Sequence, residues 1–333
     1  MSITKEKSDE PDKGKRKSQL IFAGIFIAAA VVAFFVFDFI TDGKFLDFSN
    51  GMMNIRMIIA SIVYPTFLAW GICFIFACGY NDMSWGSVVV LASFGTGVFG
   101  NEYGFAVAVL AGVLIGTFLV FLNFCIFAYT KIPSWIASIS LAMIYEAIGL
   151  FLRVSSSTRA LVELPLRTEF RVLGHLPWSV IVLFIGLVVV YFLYGRTTMG
   201  FNIRAIGGNA AVARSLGVNI NKTLLLVGLT CGLLVGVASF MQQSYNGYTS
   251  VKSGLASIQL ILQPLAIALL ADILRKRINV IIAVPICAFL IFAAFNILTL
   301  LHVPSGTLQE AFLALFLIAF AIIGQRGVKG VVK

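Results

Sequence analysis

Long uninterrupted apolar runs constrain the fold of this 333-residue chain more than any other feature. A helix that crosses a membrane needs about 20 predominantly apolar residues, and the chain is 60% hydrophobic and only 11% charged. The runs do not alternate with period two, and backbone groups in lipid need internal partners, so we predict helices. They centre on residues 20–39, 57–79, 105–128, 135–152, 178–193, 224–241, 258–271, 280–301 and 311–324, with a shorter tenth run at 85–99.

The predicted fold is therefore all-α, a polytopic helical membrane protein with about ten transmembrane helices. Residues 1–18 mix acidic and basic side chains with almost no hydrophobic ones, which predicts a disordered cytosolic tail. No later polar stretch is long enough for a soluble domain. We therefore predict one membrane domain over residues 19–326 and a cytosolic tail over residues 327–333.

The formal net charge of +10 comes from 24 Lys and Arg residues against 14 Asp and Glu. With ten crossings and a cytosolic N-terminus, most of these basic residues lie on the cytosolic side, as the positive-inside rule requires. The charge thus reports topology and does not indicate a nucleic-acid partner. We predict a multi-pass protein of the cell (plasma or inner) membrane, surrounded by lipid, with both termini in the cytosol.

A short polar segment between two apolar runs predicts a cytosolic docking helix. Asn209 can cap its N-terminus, and Gly217 can supply the left-handed residue that ends it. Gly207 and Gly208 are expected to free the backbone to turn just before it. Arg214 lies on this helix and could pair with acidic residues of a partner protein.

Motifs for enzyme chemistry are missing from the sequence. It contains no phosphate loop of the G-x-x-x-x-G-K-[ST] type, no H-E-x-x-H and no G-x-S-x-G. We therefore expect no enzyme activity, no catalytic residue and no cofactor of its own, and any ATP must be bound by a partner subunit. The five cysteines all lie in apolar runs without metal-ligand spacing, so we expect no metal site; they are Cys73, Cys78, Cys125, Cys231 and Cys287.

Polar residues inside or beside the apolar runs are candidates for a translocation path. Glu146 lies well inside its run, where an acid costs about 2.5–3.5 kcal/mol on insertion scales; it either faces a path or makes a structural bond. Asn123 is expected to bridge helices or to line the path. Asp82 or Ser84 can cap the short run that follows, in a broken helix of the kind that lines transport paths or in a simple turn. Gly86 permits close helix contact.

Three segments together resemble the permease subunits of ABC importers for ribose, galactose and related sugars. The first runs from Tyr194 through Ala205-Ile-Gly-Gly-Asn209 to Arg214 and Gly217. The second, Gly79 to Ser87, looks like the family's G-I-D-L-S-x-G-S, with Asp82, Ser84, Gly86 and Ser87 matching. The third, Leu122-Asn123 through Lys131-Ile-Pro133, is similar to L-N-G…I-P. The resemblance covers about residues 55–254.

This resemblance implies a coupling helix at residues 207–217 that sits in a groove of a separate ATP-hydrolysing subunit. It also implies an extracellular solute-binding protein and a second permease subunit, in a homodimer or a heterodimer. A monosaccharide is the implied solute. The resemblance is to a divergent member, because residues 260–277 lack the family's glycines, Glu146 stands near a position where an arginine is frequent, and Ala211 replaces the usual acid.

Three alternatives remain open on sequence grounds. The cargo could be a branched-chain amino acid or a nucleoside, since permeases for these solutes are related. A stand-alone secondary transporter or channel would work without an ATPase, although the chain lacks a series of intramembrane acids and bases for a proton relay. A membrane enzyme should show paired acids, histidines or a metal site among its spans.

Overall fold

The computed structural model describes residues 50–130, 132–155, 163–275, 278–300, 306, 308–315 and 318. The predicted tail at 1–18, the apolar run at 20–39, most of the run at 311–324 and the tail at 327–333 lie outside these residues. From Met53 onward the chain forms one compact unit. Its helices are α1 (Asn50–Ser61), α2 (Val63–Ala77), α3 (Trp85–Tyr103), α4 (Phe105–Thr130), α5 (Ser134–Ser155), α6 (Trp178–Arg196), α7 (Thr198–Gly208), α8 (Ala210–Ser215), α9 (Ile220–Asn246), α10 (Gln259–Leu274) and α11 (Val280–Leu300).

Seven helical segments among the described residues are long and apolar enough to cross a membrane. They are Asn54–Ala77, Phe105–Thr130, Ser134–Arg153, Trp178–Arg196, Ile220–Asn246, Ala256–Leu274 and Val280–Leu300. The prediction of an all-α, multi-pass membrane protein is therefore confirmed. The tenth predicted run forms α3, whose 19 residues extend about 28 Å; it is less apolar than the seven and mostly buried.

Helix α9 defines two opposite ends of the bundle, since its 27 residues extend about 40 Å. Two short strands lie beyond its C-terminus, where β1 (Glu163–Pro165) pairs antiparallel with β2 (Tyr248–Ser250), Leu164 opposite Thr249. We call this the strand end. The short helices α7 and α8 lie directly before its N-terminus, and we call that the short-helix end.

Glycines bring the middle parts of α4 and α9 into backbone contact. A Cβ built on Gly116 would lie 2.6 Å from the Cα of Gly236, and one on Gly236 would lie 2.6 Å from the carbonyl oxygen of Val113. Gly232 meets the backbone of Thr117 in the same way, at 2.7 Å. Helices in lipid gain no hydrophobic free energy from pairing, so close backbone packing through small residues supplies much of their attraction.

A proline in α11 is matched by a donor from α2. Pro285 has no N–H, so the carbonyl of Ile281, four residues earlier, loses its helical partner. The indole Nε1 of Trp70 donates to that carbonyl at 2.9 Å, and the Trp70 side chain is fully buried. The hydrogen bond both satisfies the carbonyl and ties α2 to α11.

The segment before α6 is built on the C-terminus of α9. It includes β1 and a 3₁₀ helix, Thr168–Gly174. Arg171 donates through Nη2 to the carbonyl of Tyr245 at 3.0 Å, and Gly174 N–H donates to Ser244 Oγ at 2.9 Å. These bonds satisfy carbonyl and hydroxyl groups at the end of α9 and fix the approach to α6.

The α4–α9 contact predicts that Gly236→Ala lowers the unfolding temperature of the purified protein in detergent. The added methyl would overlap the Val113 carbonyl, and overpacking of this kind costs roughly 1–3 kcal/mol. Gly195→Ala is the matched control, because a Cβ there meets nothing within 4 Å. Equal unfolding temperatures for the two variants would contradict the predicted contact.

Candidate functional site

Asp82 is the centre of a buried polar cluster in the loop between α2 and α3. Its Oδ1 accepts from the Ser84 N–H at 2.8 Å and from Ser84 Oγ at 2.6 Å. Its Oδ2 accepts from Trp85 Nε1 and from Asn123 Nδ2, both at 3.0 Å. Burial raises the pKa of the Asp82 carboxyl, and the hydrogen bonds from Ser84, Asn123 and Trp85 oppose that rise.

Asn123 extends the cluster from α4 to α5. Its Nδ2 also lies 2.6 Å from Ser84 Oγ, and its Oδ1 accepts from the Tyr145 hydroxyl at 2.6 Å. All five side chains are at least nine-tenths buried: Asp82, Ser84, Trp85, Asn123 and Tyr145. The prediction that the Asn123 amide bridges helices is confirmed, since it joins the loop before α3 to α4 and α5.

Glu146, the residue after Tyr145, binds the segment that leads into α10. Its Oε2 accepts from the Leu255 N–H at 2.8 Å, and its Oε1 accepts from the Ser257 N–H at 2.9 Å and from Ser257 Oγ. Glu146 is 6% exposed. The carboxylate thus receives N–H groups at the start of a short 3₁₀ helix, Ala256–Ile258, that leads directly into α10.

The segment at 251–258 is strained as well as anchored. Leu255 has φ 64°, and Gly254 before it has φ 70°; for a leucine the left-handed region costs on the order of 1 kcal/mol. Gly86 at the start of α3 lies against this segment, since a Cβ there would be 2.0 Å from the Ser257 carbonyl oxygen. The prediction that Gly86 permits a close approach is confirmed.

The structure thus brings Asp82, Ser84 and Asn123 into one cluster and places Glu146 beside it on α5. Sequence reasoning missed Tyr145 and Ser257, which complete the two sets of bonds. Tyr145 precedes Glu146 in the same run, and a phenol among apolar residues usually finds a partner when buried. Ser257 carried no such signal, because its partner lies 111 residues away.

The short-helix end contains the predicted docking helix as α8. Asn209 Oδ1 accepts from the N–H groups of Ala211 and Val212 at 3.0 and 3.2 Å, so it is the N-cap. Gly217 has φ 85° and follows the helix in the left-handed region. The predicted cap and the predicted terminator are both confirmed.

The expectation for Gly207 and Gly208 was wrong in its physical detail. Both lie within α7, which continues to Gly208, so the turn falls at Asn209, with φ −160° and ψ 107°. Gly207 is required for a close approach: a Cβ there would lie 2.1 Å from the Ala77 carbonyl oxygen at the end of α2. A Cβ on Gly208 meets nothing within 4 Å.

The two short helices present an exposed apolar surface beside a basic residue. Met199, Ile203 and Ile206 bury one face of α7 against the bundle, whereas the opposite surface exposes apolar side chains. We call this the short-helix surface; Arg214 is also exposed there, and its apolar members are Phe201 (59% exposed), Val212 (51%) and Leu216 (76%).

Metal ligation finds no support in the residues that the structure describes. No group of three or more His, Cys, Asp or Glu side chains lies close enough there to hold a metal ion. Cys73, Cys78, Cys231 and Cys287 are buried and unpaired, and Cys125 is partly buried and unpaired.

Comparison with known proteins gives a consistent result. A family model described as "Branched-chain amino acid transport system / permease component" matches residues 54–322. The autoinducer 2 import system permease protein of Enterobacter sp. (strain 638) is 29% identical over 203 residues, which cover 60% of this chain and 59% of that protein. The fructose import permease protein of Rhizobium meliloti is 22% identical over 242 residues, covering 70% and 66%.

A third relative, the L-arabinose transport system permease protein of Escherichia coli (strain K12), is 27% identical over 231 residues, covering 68% of this chain and 65% of the relative. This chain therefore spans about six tenths to two thirds of the lengths of these curated relatives. No solved structure matches it.

The buried cluster predicts that Tyr145→Phe destabilises the protein by about 1 kcal/mol, because the buried Asn123 Oδ1 would lose the hydrogen bond that it accepts from the Tyr145 hydroxyl. Tyr129→Phe is the matched control on α4, since the Tyr129 side chain is 67% exposed. Thermal unfolding of both variants in the same detergent measures the difference. A Tyr145 variant as stable as the Tyr129 variant would show that the hydroxyl contributes nothing.

The anchor at Glu146 predicts that Glu146→Gln loosens the segment at 251–258. Either orientation of the amide turns an N–H group towards a backbone donor, at a cost of roughly 1–3 kcal/mol. We expect faster trypsin cleavage after Lys252, measured by mass spectrometry of the digest. Glu169→Gln, at an exposed position of the 3₁₀ helix, controls for loss of charge and should leave the cleavage rate unchanged.

Proposed function

The chain belongs to the branched-chain amino acid transport system / permease component family, and from this premise we propose that it is the transmembrane permease subunit of an ABC importer. In this role the chain forms the translocation path, and a separate ATPase subunit hydrolyses ATP. The chain itself is a transport subunit and not an enzyme. In this proposal it binds no cofactor, and ATP binds to the separate ATPase subunit.

The solute in this proposal is a monosaccharide. Two of the relatives are named for the import or transport of fructose and L-arabinose, and others for ribose and D-allose. The alternative cargoes of branched-chain amino acids and nucleosides are not favoured by these relatives, although the family model carries the first of them in its description.

The short-helix surface is the observation that carries the proposal. It combines a capped helix, α8, with an anchored helix, α7, and exposes apolar side chains that lipid cannot cover if the element projects beyond the membrane. Exposed apolar patches beside polar residues are typical of protein–protein interfaces. We assign ATPase coupling to Gly207, Gly208, Asn209, Arg214 and Gly217. Gly207 packs α7 against α2, Gly208 contributes only exposed backbone, which a small side chain would leave accessible, Asn209 and Gly217 bound α8, and Arg214 faces acidic groups of the partner.

The proposed topology has ten crossings with both termini in the cytosol. Seven described segments and α3 supply eight of them, and the apolar runs at 20–39 and 311–324 supply the other two. The permease domain is then residues 19–326, between a tail at 1–18 and a tail at 327–333. In this topology an odd number of crossings separates each cytosolic terminus from the strand end. The strand end therefore faces outwards, towards the extracellular solute-binding protein.

Alternating access in such an importer needs two permease subunits around one path, identical or different. We propose that the loop at 78–84 and the segment at 251–258 border that path. Asp82, Ser84 and Asn123 hold the first segment, and Glu146 holds the second. In this proposal the four candidate residues act by positioning backbone that lines the path, since their own polar atoms are already engaged by protein partners.

Purification of the tagged chain from its native membrane tests the proposed function. We expect an ATPase subunit to co-purify, and the reconstituted complex to take up a monosaccharide only when ATP and the binding protein are supplied. Uptake by the chain alone, with no ATPase bound, would contradict the proposal and indicate a secondary transporter or channel.

The contact between α7 and the end of α2 predicts that substitutions at two neighbouring glycines differ in their effect on uptake. Gly207→Ala should displace α7 from the end of α2, because the methyl would overlap the Ala77 carbonyl, and should reduce ATP-driven uptake at least tenfold while the chain still inserts. Gly208→Ala, with open space around its Cβ, should retain uptake and ATPase co-purification. The assay compares uptake per assembled complex in proteoliposomes, and equal losses in both variants would refute the assignment.

A further inference from the structure

A cavity of about 820 Å³ opens at the strand end of the bundle. Its wall is formed by α1, the residues just before α6, the C-terminus of α9 and the start of β2. Cavities of this size fall in the range used for small-molecule ligands. The side chains that matter for its chemistry are Arg56, His175, Tyr245, Asn246 and Tyr248.

The cavity wall is pre-formed by hydrogen bonds behind it. Arg171 holds the carbonyl of Tyr245, and a Cβ on Gly174 would lie 2.4 Å from the backbone of Ser244, so the chain before His175 packs tightly on α9. The rings of His175 and Tyr245 lie with centroids 6.1 Å apart. A ligand would therefore enter a site whose groups need little reorganisation.

The polar groups of the cavity are cationic or neutral. None of the six carboxylates whose side chains the structure describes lines it, and Arg56 makes no hydrogen bond or ion pair with the described residues. Desolvation and the nearby charge of Arg171 lower the pKa of His175. At neutral pH, His175 is then an uncharged donor and acceptor, and the guanidinium of Arg56 is the charge that a ligand would meet.

A buried polar atom, Gln242 Oε1, lies near this site on α9. Gln242 precedes Tyr245 by three residues and Asn246 by four, so the three side chains share one face of the helix. Its Oε1 is buried and has no hydrogen-bond partner, whereas most buried polar atoms in proteins have one. Gln242 does not itself line the cavity, but the same face of α9 thus carries an acceptor without a described partner one turn away.

We propose that this cavity binds the incoming solute and that the solute is a carboxylated monosaccharide, a hexuronic acid in chemical class. Its carboxylate pairs with Arg56, a pairing that the planar guanidinium favours. Its hydroxyls bond to Asn246 and the two tyrosines, whose rings also cover the apolar face of the sugar. This assignment rests on the proposed function for the direction of transport, and it narrows the solute from monosaccharides in general to acidic ones.

Thermal unfolding of the purified complex in phosphatidylcholine nanodiscs tests the proposal, with D-galacturonate and D-galactose as probes at equal concentration. We expect D-galacturonate to raise the unfolding temperature and D-galactose to raise it much less. Arg56→Gln should weaken the apparent affinity for D-galacturonate by about tenfold to a hundredfold, the usual effect of losing a charge-assisted bond. Arg167→Gln, at an exposed site outside the cavity on the same end, should bind like the unmodified complex.

Each other outcome overturns the acidic assignment. Equal responses to the two sugars would indicate a neutral solute, and no response to either would show that the cavity is not a sugar site. A response abolished by exchanging phosphatidylcholine for phosphatidylglycerol would identify Arg56 as a lipid-headgroup site. ATPase co-purification with the Arg56→Gln chain is measured in parallel, so that loss of the sugar assignment is distinguished from failure of the permease assignment.

Discussion

Hydrocarbon cannot hydrogen-bond to the backbone, and that constraint governs where this fold departs from helix. At three interruptions of the helices, a side chain supplies the hydrogen-bond partner that a backbone group would otherwise lack. Glu146 accepts from the N–H groups that precede α10, Asp82 accepts from the Ser84 N–H before α3, and Trp70 donates to the carbonyl left free by Pro285. In each case a polar side chain that is costly to bury pairs with a backbone group that is also costly to bury without a partner.

These pairings also decide which helices hold together. Trp70 and Glu146 act across long stretches of sequence, so satisfying one backbone group also fixes the spacing of two helices. The glycine contacts of α4 and α9 work differently, because they let backbones touch and gain dispersion energy without any polar atom. The bundle therefore combines a close-packed centre with polar ties at its interruptions.

The sequence predicted what depends on local chemistry. The length of the apolar runs predicted the spanning helices, Asn209 predicted the N-cap of α8, and Gly217 predicted where α8 ends. What depends on distant partners was not predictable: nothing near Glu146 names Leu255 as its partner, 109 residues away. Gly207 shows the same limit, because its lack of a side chain indicated a turn, whereas the structure uses it for contact with Ala77.

The two polar ties of α5 come from consecutive residues. Tyr145 bonds to Asn123 on α4, which in turn bonds to Asp82 and Ser84 before α3, and Glu146 bonds to the segment before α10. Successive helical residues differ by only about 1.5 Å along the axis. A slide of α5 along its axis would therefore stretch both sets of bonds together and by the same amount. A sliding motion of α5 therefore cannot break its bond to α4 without also straining its bonds to the segment before α10.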